Sequence, residues 1–443
     1  MTSAESDDGV PLLPYPQSSG ERAPNGSTFF VSANGDDGNL GTSADAPWRT
    51  LGRAMTEDFA AGDLLLLERG GTFFGQIRKT PRPSTGLRWT IGAYGSGPQP
   101  VVSGYKILDQ AARWEALAGS IWRIDITEPA AFSGNTSNTS WNIGHLRVGE
   151  DVFGVLREST SALTGQWEFH CAAPYLYVYS AQNPTVAAVS AGGLRAAPDG
   201  PLINVRSNTE ILDLNLTGTG GTAITSLGEF VDNVRVAGNT IHHVGGSVLT
   251  DQGNVRYGNG VEAWIPSNGW VVENNHIYEC YDVALTCQGN QTYGLTISDI
   301  TFRRNVCHHN SQSIEFWSSG NPAIDGTGFF RILVESNIFS WGGYGWGGPV
   351  RPNQDLRCQI WTGFWELPTD IKVQGNTFNQ AFSFYRFSYP QRPVGLICQR
   401  NDIRLSSGTR MEFLEPETIN DAQSWASRES VEFDSTFTVF DGS

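Results

Sequence analysis

Five octets decide the fold: VAGNTIHH (236–243), VENNHIYE (272–279), FRRNVCHH (302–309), VESNIFSW (334–341) and VQGNTFNQ (373–380). LDLNLTG (212–218) and CQRNDI (398–403) extend the series on either side. Each segment carries an Asn just after a strand-like run: Asn215, Asn239, Asn275, Asn305, Asn337, Asn376 and Asn401. The steps between them are 24, 36, 30, 32, 39 and 25 residues. A floor with longer excursions describes one coil of fixed size plus loops of variable length. The apolar residue two after each Asn (Ile241, Ile277, Cys307, Phe339, Phe378) keeps an inward register. Stacked coils lie about 4.8 Å apart, and Asn amides at that spacing hydrogen-bond to the coils above and below. The repeat therefore predicts an elongated solenoid of parallel strands with an Asn ladder at one corner.

Composition agrees with this reading. Gly is 51 of 443 residues and the aromatics are plentiful (14 Trp, 13 Tyr, 23 Phe), which suits a turn-rich β protein. The formal charge of −16 argues against nucleic acid as a partner, whose phosphates need a basic face. No apolar run is long enough to span a membrane, so membrane insertion is not expected. The six cysteines form no CxxC pair, which argues against a zinc site; no metal and no cofactor is expected. Residues 1–26 read as a polar leader with no signal peptide, and 27–443 as one solenoid domain with a β-rich insert at about 105–198. A short helical pattern with Trp48, Leu51 and Met55 on one face follows Pro47. Oligomeric state has no signature in the chain.

The chain resembles the right-handed parallel β-helix superfamily, the pectate-lyase-like group of carbohydrate-active proteins. The matching stretches are FFVSANGDDGNLGT with PWRTLGRAM, GDLLLLERGGTFFGQ, AYGSGPQPVVSG and the Asn-bearing coils. The resemblance implies an all-β fold, a right-handed parallel β-helix, with an N-terminal capping helix at Trp48–Met55. It also implies a poly- or oligosaccharide partner and a secreted or extracytoplasmic setting. The superfamily hosts lyases, hydrolases and binding spikes, so fold alone does not select the reaction.

A second strand in each coil supplies the candidate site. The segments are TAITS (222–226), NGVEAW (259–264), VALTCQ (283–288), SIEFW (313–317) and CQIW (358–361), with GSVLT (246–250) competing for the second place. Alternation turns Val261, Leu285, Ile314 and Cys358 inward. The outward columns are then Thr225, Glu262, Thr286, Glu315, Gln359 and Trp264, Gln288, Trp317, Trp361. Flat indoles suit the C–H faces of sugars, and the amides suit hydroxyls. Glu262 and Glu315 lie two coils apart, with backbones about 9–10 Å apart. That spacing fits the acid and base of an inverting glycosidase better than the closer pair of a retaining one. Asp282 is a third carboxylate, placed to raise the acid's pKa by repulsion. The Gly-rich loop 340–357 is a cover or a wall.

A further outward column holds His242, Tyr278 and His308, where His308 in particular suits a general base for β-elimination. Arg256, Arg351, Arg357 and Arg386 are the cations available to read a uronate carboxylate. A glycoside hydrolase or related glycosyl-transferring enzyme is thus the leading expectation. The alternatives are a polysaccharide lyase on a uronate-containing glycan and a non-catalytic glycan-binding protein.

Overall fold

The structure is a computed structural model. It describes residues 26–441 apart from 79–85, 228, 250–254, 290–295, 320–327, 365–366, 389–391 and 415. The expected leader falls outside these residues except for Gly26.

Three parallel sheets of ten, ten and eight strands run the length of the chain. A single coil illustrates the path. Val231–Ala237 lies in the first sheet, Thr240–Val244 in the second and Val261–Trp264 in the third, and Ser267–Glu273 returns to the first. Inward residues stack in columns through the middle. Ile241, Ile277, Cys307, Phe339 and Phe378 are in register from coil to coil, and all are fully buried. Burying every inward side chain this way is what holds a solenoid together, because each coil contacts only its neighbours.

The Asn ladder occupies the corner between the first and second sheets. The residue before each ladder Asn has a left-handed backbone: Gly238, Asn274, Arg304, Ser336, Gly375 and Arg400, with φ between 53° and 68°. That turn swings the Asn side chain inward. Its Nδ2 then donates to the Oδ1 of the next Asn: 3.0 Å for Asn239 to Asn275 and 2.9 Å each for Asn275 to Asn305, Asn305 to Asn337 and Asn337 to Asn376. Asn376 continues to Asn401 at 3.2 Å, and Asn401 ends the series on Glu432. Asn215 is not a rung. In its coil the left-handed residue is Asp213, so the ladder position falls on Leu214, whose N–H donates to Asn239 Oδ1 at 3.0 Å. Asn215 instead meets His242 on the outer surface.

Both core ends are covered. Trp48 and Leu51 are buried at the N-terminal end, where Trp48 stacks on Phe29. The helix there is a single turn, Leu51–Ala54, capped by the Thr50 side chain, and Trp48 precedes it in a bridge to Val31. At the other end the helix Ala422–Glu429 packs Trp425 on Tyr385. Between the strands Val101–Ser103 and Ile203–Asn204 the chain leaves the solenoid. It forms two five-stranded, largely antiparallel sheets with a hydrophobic cluster of their own. This lobe is tied to the coils through Asn142 to Val248 O and Arg256 to Gly144 O, both 2.8 Å. Phe153 stacks flat on Trp346 at 4.7 Å.

Candidate functional site

The third sheet sets the site. Val261–Trp264, Val283–Gly289, Gln312–Ser318 and Cys358–Gly363 are paired in parallel. NGVEAW holds the second place, while Ser247–Val248 forms a separate antiparallel ribbon with Arg256–Tyr257. The outward column reads Thr225, Glu262, Thr286, Glu315, Trp361, and the neighbouring one Trp264, Gln288, Trp317, Gly363. The two glutamates are thus two rungs apart with Thr286 between them.

The last rung differs from expectation by two residues. Ile360, not Cys358, pairs with Ile314, so Trp361 stands beside Glu315 and Gln359 falls back to the level of Ser313. Gln359 is fully buried and bonded to Ser313 and Gln380 O, away from the cleft. Cys358 and Ile360 are both apolar, so either register keeps an apolar residue inward and alternation alone does not choose. Gly363 then sits where a fourth large side chain would stand. A Cβ there would lie 2.5 Å from Trp317 and 2.6 Å from Trp361, so the absence of a side chain is what lets both indoles lie over the strand.

These columns wall a cavity of about 410 Å³. Glu262, Glu315, Asp282, Gln288, Trp264, Trp317, Trp361 and Arg256 all line it, as the sequence reading grouped them. Arg351 lines it too. Sequence reasoning saw Arg351 only as one of several loop cations, because where a Gly-rich loop folds back is set by tertiary contacts. The loop carries it in as expected of a wall: Trp346 anchors on Glu279 O at 3.0 Å, and Arg351 reaches Asp282 at 2.9 Å. Asn259 and Tyr257 also face the cavity, and neither has a periodic signal that would mark it.

The electrostatics separate the carboxyls. Glu315 is 2% exposed, and burial pushes its pKa well above the ordinary glutamate value. The Asp282 charge adds to the rise and the Arg351 charge opposes it. Its Oε2 is buried with no partner among the described residues. Glu262 is 4% exposed and also raised by burial, with neighbouring donors pulling the other way. Gln288 and Asn259 donate to its Oε1. Asp282 is tied to Arg351 and to Gln312 Nε2, each at 2.9 Å. The Thr286 hydroxyl and Arg351 Nε are likewise buried and unpartnered among the described residues. Orphaned polar groups are rare in folded interiors, and several gather around this one cleft.

Five expected site residues stand elsewhere. Gln359 is one of them. His242, Tyr278 and His308 form a ring stack on the second sheet, with centroids 4.9 and 5.0 Å apart, outside the cavity. Their surroundings are imidazoles and the lobe: His276 meets His308 at 2.7 Å, and Phe153 stacks on His243. Alternation correctly turns these rings outward, but neighbouring rings crowd them, leaving His242 and Tyr278 half-buried and His308 buried, and desolvation lowers the pKa of His242 and His308 to about 3. Arg357 packs over Phe382 at 3.9 Å and donates to Gly343 O, which removes it from the cleft. Arg386, named among the cations, pairs with Asp355.

A 97-residue stretch is 36% identical to part of a lacto-N-biosidase from Bifidobacterium longum subsp. longum. It makes up 20% of this chain and 6% of that enzyme, so only a small part of the relative's length is matched. Among solved structures, a glycoside hydrolase aligns over 93% of this chain and 96% of its own at 10% identity and a TM-score of 0.46. The GH136 lacto-N-biosidase of Eubacterium ramulus aligns over 94% and 68% at 11% identity and 0.39. Pectate lyase Pel9A aligns over 94% and 77% at 11% identity and 0.38. Residues 181–345 match the model of the right-handed β-helix region. With its stacked parallel sheets and this match, the chain has the right-handed parallel β-helix fold.

Proposed function

We propose that the chain is a glycoside hydrolase that cleaves a poly- or oligosaccharide with inversion, using Glu315 as acid and Glu262 as base. One observation carries the reading: two buried carboxyls face one aromatic-walled cleft from strands two rungs apart. Two rungs correspond to about 9–10 Å between backbones. That leaves room for a water molecule, as inversion requires, whereas a retaining pair is closer at about 5–5.5 Å. Glu315, held neutral by burial, donates its proton to the departing glycosidic oxygen as the C1–O bond breaks. Glu262, ionised, takes a proton from the water whose oxygen bonds to C1 on the opposite face. Gln288 and Asn259 hold that carboxylate in place. Trp264, Trp317 and Trp361 offer apolar faces to the sugar rings. The 97-residue likeness to a lacto-N-biosidase supports hydrolysis over elimination.

A panel of polysaccharides and oligosaccharides, with products followed by NMR, tests this. Glu315→Gln and Glu262→Gln should each lower kcat by about a hundred- to ten-thousandfold, the usual worth of a positioned acid or base. The first product should carry the inverted anomeric configuration. Full turnover in both variants refutes the carboxylate roles. A retained anomer refutes inversion, and an unsaturated product absorbing in the ultraviolet moves the chain to the lyases.

A further inference from the structure

A second cavity, of about 550 Å³, lies against the first. The two share Arg256 and Arg351 as a common wall. On its far side the second cavity is built by the inserted lobe, with Trp141, Ile143 and Leu156, and on the near side by Val350 of the Gly-rich loop.

Arginines outnumber carboxylates in the lining of the second cavity: Arg157, Arg256 and Arg351 stand against Glu158. Arg351 is 6% exposed and spends Nη1 on Asp282, while its Nε is buried with no partner among the described residues. Arg256 donates from Nε to Gly246 O at 2.7 Å and from Nη2 to Gly144 O at 2.8 Å, and its guanidinium lies 4.3 Å above the Tyr281 ring. Among the described residues it makes no ion pair. Asp282, on the side of the first cavity, answers Arg351 and, among the described residues, makes no ion pair with Arg256. The cavity's other charged groups stand on the lobe: Arg157, paired with Glu168, and Glu158. A guanidinium withdrawn from water without a counter-charge is costly, and an incoming anion relieves that cost.

We propose that the second cavity is a subsite for an additional sugar unit bearing an anionic group, a carboxylate or a sulfate ester. Arg256 and Arg351 read the charge and Trp141 lies against the ring. This rests on the glycosidase reading of the adjoining cleft. It also accounts for the inserted lobe, which supplies the wall that lengthens the cleft by one acidic residue.

Binding to the full chain, measured by calorimetry, reads the subsite whether or not any glycan is cleaved. The probes are hexuronate oligosaccharides, their carboxyl-reduced neutral counterparts, and sulfated neutral oligosaccharides of equal length. At least one acidic set should bind about ten- to a hundredfold tighter than the neutral set, the effect of one charge-assisted pair. Which acidic set it is distinguishes carboxylate from sulfate. Arg256→Gln removes the tie to Gly144 O of the lobe together with the bond to Gly246 O and is a poor first variant. Val350→Glu places a negative charge in the cavity at a position already 38% exposed, and it should abolish the acidic preference. Equal affinity for acidic and neutral sets overturns the proposal. So does an acidic preference that survives Val350→Glu, or the absence of binding by every set. Failure of the catalytic reading alone would leave the binding preference intact, so the two outcomes are separable.

Discussion

Replacing Asn305 with alanine removes four hydrogen bonds from the middle of the ladder. Its Nδ2 donates to Val272 O and to Asn337 Oδ1, both at 2.9 Å. Its Oδ1 accepts from Asn275 N at 3.0 Å and Asn275 Nδ2 at 2.9 Å. Two of these partners keep another bond: Asn275 Nδ2 retains Val236 O, and Asn337 Oδ1 retains the backbone N–H of residue 305. The Asn275 N–H keeps none. Three bonds at a net ~1 kcal/mol each and one buried orphan at about 1–3 kcal/mol give a loss of about 4–6 kcal/mol. Chemical denaturation reads the total, and amide exchange at Asn275 reads the orphan directly. Asn215→Ala is the internal control: its side chain meets His242 outside the ladder, and its loss should be about 1 kcal/mol or less. An Asn305→Ala loss equal to that of the control would refute the ladder as a source of stability. Asn305→Asp should be at least as damaging, because a carboxylate accepts from Asn275 but donates to neither Val272 nor Asn337.

Activity should follow a bell-shaped pH profile, with the acid limb set by Glu262 ionising and the alkaline limb by Glu315 losing its proton. Because both carboxyls are raised, both limbs should lie above the ordinary glutamate value of about 4.5, and Glu262→Gln should erase the acid limb in whatever activity remains. Glu315→Gln should stabilise the protein. The folded state keeps a proton that the unfolded chain releases above about pH 4.5, so the wild type loses stability as pH climbs from there toward the raised value. The Tm difference between variant and wild type should therefore widen from acid to neutral pH, and a difference independent of pH would contradict this assignment. Gly363→Ala should displace Trp317 and Trp361 and raise KM about tenfold with a smaller change in kcat, as loss of sugar-stacking contacts predicts. An unchanged KM would remove those indoles from the binding surface.

Much of this was legible in the sequence because the solenoid writes its repeat plainly. A polar residue recurring at a buried corner has few explanations, and six of the seven Asn residues form the ladder. The seventh was misread because its coil places the left-handed turn one residue earlier, at Asp213, which leaves Leu214 in the rung. Alternation found Glu262, Glu315 and their tryptophans. It misplaced Gln359 because a slip of two residues leaves the inward pattern unchanged. The histidine column was rightly turned outward. That Phe153 of the lobe would stack on the adjoining His243 depends on a contact between segments about 90 residues apart, which no local pattern encodes. That the Gly-rich loop brings Arg351, one of the candidate cations, into the cleft is hidden for the same reason.

The stacking has a consequence for how such a site changes over evolutionary time. Distances between groups in one column advance in whole steps, like teeth on a rack. Leu285 and Ile314 are one step apart, and so are Ile314 and Ile360, although the first pair is separated by 29 residues of chain and the second by 46. Loops can be long, as the one carrying Arg351 is, without altering the interval between Glu262 and Glu315. To bring the second carboxyl closer the chain must move it to the neighbouring tooth, at Thr286, and a change of stereochemical course would be a discrete jump rather than a drift.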